Sequence, residues 1–175
     1  MFSDPKHNIE QLNLDPGMVV ADVGSGSGHY SLEAAKIVGD KGKVYAIDVQ
    51  KDLLARLKSH AVAEHLHNIE VIWGNAEKPG GTRVKDAFVD FVFVSNILFQ
   101  VEDKKTFAKE IKRIVKTNGR VLVVDWADSF GGMGPQREHV VTEAKAKELF
   151  LSEGLAFERG IQAGAHHYGL VFRKL

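Results

Sequence analysis

The chain has 175 residues, 44% of them hydrophobic, which suits one domain spanning 1–175 with a sizeable core. It contains no cysteine, so disulfides, thiolate nucleophiles and Cys-ligated metals are excluded, and a cytoplasmic location is the expectation. Lys and Arg total 23, as do Asp and Glu. This balance argues against nucleic acid as the main partner, and without a run of 18 apolar residues or the regions of a signal peptide no membrane span is expected.

From the N-terminus, "DPKHNIEQLNL" reads as a helix opened by Asp4 with Pro5 at its first position. A strand at Val19–Val23 runs into three alternating glycines, Gly24, Gly26 and Gly28, and a helix follows over 30–38, closed by Gly39. The next strand is Lys43–Asp48. It leads to a helix with Leu53, Leu54, Leu57 and Ala61 on one face, for which Asp52 is a better placed cap than Asp48. Strands at Ile69–Trp73 and 90–94 come next, then a helix carrying Phe107, Ile111, Ile114 and Val115. "TNGR" at 117–120 reads as the turn closing that helix before a strand at 121–126. A 15-residue loop, "ADSFGGMGPQREHVV", precedes a helix from about 142 to 153 that ends at Gly154. The strands "LAFERGI" and "HHYGLVFRKL" are separated only by "QAGA", too short for a crossover helix, so they form a hairpin with the last strand antiparallel. The alternation before it implies βαβ units: an α/β fold with a mostly parallel sheet and helices on both faces.

Ligands in such sheets bind beyond the carboxyl ends of the strands. The three glycines would let a ligand lie against bare backbone there; a tight turn without a ligand is the alternative. Asp48, 20 residues beyond Gly28, can accept hydrogen bonds from the vicinal hydroxyls of a ribose, or it can cap the next helix. His29 stands where the dinucleotide fingerprint G-x-G-x-x-G has its third glycine, which speaks against a pyrophosphate. Asp22, two residues before the first glycine, suits the α-amino group of an amino acid, held directly or through the loop it braces.

"VVADVGSGSGHYS" and "VYAIDVQ" resemble the first two motifs of the class I S-adenosylmethionine-dependent methyltransferases. "VIWGNAEK", "VDFVFVSNILFQVED" and "IKRIVKTNGRVLVVDW" resemble later ones. The resemblance runs from about Leu14 to Leu175 and is nearest the small-molecule branch that includes the ubiquinone and menaquinone methyltransferases. It implies a Rossmann-like seven-stranded sheet and S-adenosyl-L-methionine as cofactor. The cofactor-binding set it implies is Asp22, Gly24, Ser25, Gly26, Gly28, Asp48, Val49, Asn75, Ala76 and Ser95. The third motif departs from the common pattern in having Asn75 where Asp is usual; an amide can still bond adenine. The fourth lacks the Asn-Pro-Pro-aromatic signature of enzymes acting on DNA bases.

A sulfonium methyl is already activated, so alignment and exclusion of water do most of the work. The substrate candidates are Asn96 and Phe99 after the fourth strand, and Arg137 and His139 in the long loop, Arg137 suiting an anionic group. The last strand starts at the ligand edge, which makes His166, His167 and Tyr168 candidates for a catalytic role; packing or solvent exposure is the competing account of each. No metal site is expected, since His166 and His167 would point to opposite faces and no HExxH motif accompanies them. The expected function is methyl transfer to an unidentified small molecule. The alternatives are an NAD-dependent oxidoreductase and a non-catalytic S-adenosylmethionine-binding module.

Overall fold

Seven short apolar runs become the strands of one sheet. The structure, a computed structural model, describes residues 3–175. Its elements are α1 (Pro5–Glu10), β1 (Val19–Val23), α2 (His29–Val38), β2 (Lys43–Asp48), α3 (Lys51–Ala63), β3 (Ile69–Trp73), β4 (Val89–Ser95), α4 (Lys104–Ile114), β5 (Val115–Trp126), α5 (Glu143–Ser152), β6 (Leu155–Ile161) and β7 (His167–Lys174). The strand order is β3-β2-β1-β4-β5-β7-β6. Strands β1 to β5 pair in parallel, and β7 runs antiparallel to both β5 and β6. The expected mostly parallel sheet with an antiparallel last strand is therefore present.

Side chains alternate across each strand, and both faces are covered. On one face, Phe107 and Ile111 of α4 and Phe150 of α5 pack over Val92, Val94, Val123 and Phe172. On the other, Ile9 near the N-terminus and Tyr30, Ala34 and Val38 of α2 pack over Phe91, Phe93, Val124 and Val171. Each such aliphatic or aromatic side chain contributes about 1.5–3 kcal/mol on burial. α1 begins as the sequence implies: Asp4 accepts a hydrogen bond from Lys6 N at 3.0 Å, with Pro5 in the first turn.

Two local expectations are corrected. "TNGR" does not close α4. The helix ends at Ile114, and Val115 passes straight into β5. Val89 pairs with Val115 and Phe91 with Arg120, so residues 116–119 bulge opposite Asp90. The turn chemistry is real, since Asn118 has φ +65°, but it makes a bulge inside a strand because β-branched Val115 already pairs with β4. Asp52 lies in the first turn of α3 and does not cap it; Gln50 occupies the cap, and Asp48 Oδ1 accepts from its N–H at 2.8 Å.

Residues 74–88, between β3 and β4, form no helix. Buried Glu110 of α4 holds this crossover by accepting from Gly80 N, Thr82 N and Thr82 Oγ1. Arg113 donates to Glu110 at 2.7 Å and to Val84 O at 2.8 Å. Burial pushes the Glu110 carboxyl up, but these hydrogen bonds outweigh it and bring its pKa down to about 2.

Candidate active site

At the end of β1 the chain turns through 24–28 into α2, and the three glycines answer different demands. A Cβ at Gly24 would collide with Ile97, and one at Gly28 with Leu57, so both are there for close packing. Gly26 has φ +53° and open space around its would-be Cβ; its missing side chain leaves room above the loop. Asp48 ties this loop to β2. Its Oδ2 accepts from Gly26 N at 2.8 Å while Oδ1 accepts from the N–H of Gln50, just ahead of α3.

Asp22 ends up buried beneath the loop, where Oδ2 accepts from Ser31 Oγ at 2.6 Å. Burial raises its pKa to about 6, against the opposing hydrogen bonds of Ser31. Tyr30, on the same turn of α2, accepts from Asn8 Nδ2 at 2.6 Å. Asn8 also donates to Ser3 Oγ, tying the N-terminal segment to the site.

These groups surround a bent cleft at the carboxyl ends of the strands. Its larger lobe, about 530 Å³, is the more polar of the two and is lined by Asp22, Ser25, Gly26, Tyr30, Ser95 and Asn96 among others. The smaller lobe, about 150 Å³, is lined by Ile47, Asn75, Ala76, Val101 and Phe107. Gly24, Asp48, Val49, Ile97 and Gln100 line both, so Asp48 stands at the bend. Two polar atoms in the larger lobe, Ser25 Oγ and Asn96 Oδ1, are buried without a hydrogen-bond partner. Asn96 also holds φ +53°, a conformation uncommon outside glycine. The turn after it is pinned by Asp125, which accepts from Leu98 N and Trp126 N at 2.8 Å and is pushed by burial to a pKa of about 6.

Of the ten residues expected around a cofactor, nine line the cleft, and Gly28 packs behind it on Leu57. Asn75 turns its oxygen to Glu77 N at 2.9 Å, shaping the loop beside the small lobe. Asn96 also lines the cleft. Phe99 and His139 meet elsewhere, in a separate cavity of about 560 Å³ with Lys104, Lys145 and Glu148. Arg137 is exposed in a single 3-10 turn and lines none of these cavities.

His167 and Tyr168 start β7 at the ligand edge with His166 just before them, but none of the three lines the cleft. Tyr168 is buried in the core of the α4–α5 face and donates to Val141 O at 2.9 Å, with its pKa raised by burial. The His166 ring stacks on Phe130, and its Nδ1 lies 3.5 Å from Asp128. His167 is buried against Trp126. Sequence reasoning did not single out Tyr30, Gln100 or Glu110; a carboxylate flanked by Phe107, Ile111 and Ile114 on one helix face was the available signal for Glu110, since a buried acid needs partners. Among the described residues no helix is long and apolar enough to cross a membrane, and no group of three His, Asp or Glu is placed to hold a metal ion.

Comparison with known proteins places this geometry. Residues 14–161 match a family described as a methyltransferase domain. A demethylmenaquinone methyltransferase from Bacillus mycoides is 32% identical over 121 residues, covering 69% of this chain and 49% of that protein. A ubiquinone/menaquinone biosynthesis C-methyltransferase from a Shewanella species is 27% identical over 126 residues, 70% of this chain and 48% of that one. The chain thus spans about half the length of the curated relatives it matches. The crystal structure of a SAM-dependent methyltransferase from Aquifex aeolicus superposes with a TM-score of 0.89 at 29% identity, covering 99% of this chain and 91% of that one.

Proposed function

The chain belongs to the methyltransferase domain family that it matches over 14–161, and on that premise we propose that it transfers the methyl group of S-adenosyl-L-methionine to a small-molecule acceptor. The observation that carries the reading is the bent cleft with a carboxylate at its bend. One small, largely apolar lobe and one larger, more polar lobe meet at Asp48, as a ligand made of a flat base, a ribose and an amino acid requires. The residues fit that ligand on their own chemistry. Asp48 keeps unused lone pairs for ribose hydroxyls, Asp22 offers a negative charge in the lobe an ammonium would enter, and Ser25 Oγ is a buried hydroxyl still lacking a partner. Gly26 leaves the wall open where a side chain would stand.

When bound, the cofactor supplies a methyl group on a positively charged sulfur, which needs no further activation. The chain's own work is placement. Asp48 fixes both the glycine loop and the start of α3, so the floor is rigid before any ligand arrives. Asp125 sets the turn that presents Asn96 to the larger lobe. Ser3 and Pro5 line that lobe, and Asn8 holds their segment in place through its hydrogen bonds to Ser3 and Tyr30.

A small organic acceptor is supported by the names of the relatives, which act on quinone-type compounds, and by a net charge of zero. Separate calorimetric titrations with S-adenosylhomocysteine and with NAD test the reading. Micromolar binding of the first and none of the second is expected; the reverse order would return the cleft to the dinucleotide alternative.

A further inference from the structure

The sheet face under α1 and α2 continues past the polar lobe. Phe93 of β4, Val124 of β5 and Val171 of β7 pack on it. Alternation puts Ser95, Trp126 and His167 on the same face, at the ligand ends of their strands. Trp126 and His167 are direct partners across the β5–β7 pair, with ring centroids 4.3 Å apart. Ser95, which lines the cleft, pairs with Val124, so His167 lies two strand spacings across and two residues along from it, about 12 Å away.

His167 is 8% exposed, and neither of its ring nitrogens has a hydrogen-bond partner. A neutral imidazole offers one donor and one acceptor. Leaving both unmade in the interior is costly, and such a group calls for an explanation. Beside it, against Trp126 and His166, lies a small hairpin. Phe130 pairs with Met133 through Gly131 and Gly132, both at positive φ. The hairpin touches down through Phe130, stacked on His166 at 3.8 Å, and through Gly134, where a Cβ would come within 2.8 Å of the Trp126 ring. Phe130 and Met133 themselves stay 42% and 45% exposed. The rings it rests on are those of Trp126 and His166, and the His167 ring packed on Trp126 has both nitrogens unpartnered.

We propose that His167 is an acceptor-binding residue, and that a planar ring carrying a hydroxyl group displaces the Phe130–Met133 hairpin to lie along Trp126 and bond to His167. The inference rests on the cofactor reading for where the methyl group lies. Ring surfaces at Trp126, Phe130 and His166 suit a flat apolar body. Burial, aided by the neighbouring charge of His166 and opposed by that of Asp128, keeps the His167 imidazole below its ordinary pKa and so neutral. Its bare nitrogen accepts a hydrogen bond from the ring hydroxyl, which draws the O–H proton toward the imidazole and electron density toward the ring; no bond is broken and the proton stays on oxygen. No oxidant or reductant is involved.

The test compares 1-naphthol with 1-methoxynaphthalene by calorimetry, each titrated with and without S-adenosylhomocysteine. Wild type should bind the naphthol at least tenfold more tightly. His167→Phe, and His167→Leu as a smaller replacement, should bind both rings equally. They should keep the wild-type affinity for S-adenosylhomocysteine and melt no lower than wild type, because two unpartnered nitrogens have been removed. The proposal is overturned if wild type shows no preference, if both variants keep it, or if both lose all ring binding along with melting temperature. Failure of wild type to bind S-adenosylhomocysteine would sink the cofactor reading, while the two ring ligands alone still decide the role of His167.

Discussion

Replacing Asp48 with asparagine removes one charge at the bend of the cleft and changes little in shape. Two consequences separate cleanly. In the protein itself, Asp48 accepts from Gly26 N and from Gln50 N, each at 2.8 Å. The amide can satisfy one of these donors, and its own NH₂ then faces the other. An unsatisfied buried donor costs about 1–3 kcal/mol, which for a chain of this size lowers the melting temperature by about 2–4 °C per kcal/mol. In the complex, the loss is the charge on hydrogen bonds from ribose hydroxyls, about 1.5–3 kcal/mol, or roughly 10- to 150-fold in Kd. Calorimetry with S-adenosylhomocysteine, well below the melting temperature, reads the second effect. Adenosine and 2′-deoxyadenosine make the assignment specific. Wild type should prefer adenosine, and Asp48→Asn should not, since the two deletions remove the same contact. Unchanged affinity in the folded variant, or an undiminished preference for adenosine, would refute the ribose role.

Because Asp22 has its pKa raised to about 6 and only its ionised form attracts an ammonium, affinity for S-adenosylhomocysteine should fall roughly tenfold from pH 7 to pH 5. Asp22→Asn should abolish that slope, and a His29→Asn background, which removes the histidine lining the same lobe, should leave it intact. Gly26→Ala meets no protein atom within 4 Å but holds φ +53°. It should cost about 1–2 kcal/mol of stability while weakening ligand binding far more than an equal destabilisation elsewhere. Glu110→Gln should cost about 1–3 kcal/mol through its unsatisfied donors. With a folded pKa of about 2 against an ordinary 4.5, wild-type Glu110 contributes stability above pH 4.5 that is lost as pH falls toward 2, and chemical denaturation across that range should show a flatter slope in the variant. Asp22 and Asp125 act in the opposite sense, their ionisation near pH 6 removing stability as pH rises.

The sheet was legible because its strands are short buried runs and its helices carry apolar stripes; both signals are local in the chain. Nine of ten cofactor candidates line one cleft for the same reason: the first two motifs and the segment after β3 stand directly at strand ends. What was not legible depends on partners distant in sequence. "TNGR" has the composition of a turn, and only the pairing of Val115 with Val89 shows that it is a bulge. Asp52 looks like a cap until Asp48 is seen to reach Gln50 N. Phe99 and His139 were expected near the substrate, and they meet in a cavity apart from the cleft because the long loop folds toward α5. The lack of partners around His167 is a property of the packed interior, and no pattern in "HHYG" encodes it.

On the proposed function, the bent cleft holds S-adenosyl-L-methionine with its ribose at Asp48 and its reactive end toward Asn96. A crystal structure with S-adenosylhomocysteine bound is the decisive measurement. The ribose hydroxyls should lie on the Asp48 carboxylate, the base against Ala76 and Phe107, and the sulfur should face Ser95 and Asn96. A ligand found with its ribose away from Asp48, or seated in the cavity of Phe99 and His139, would contradict it.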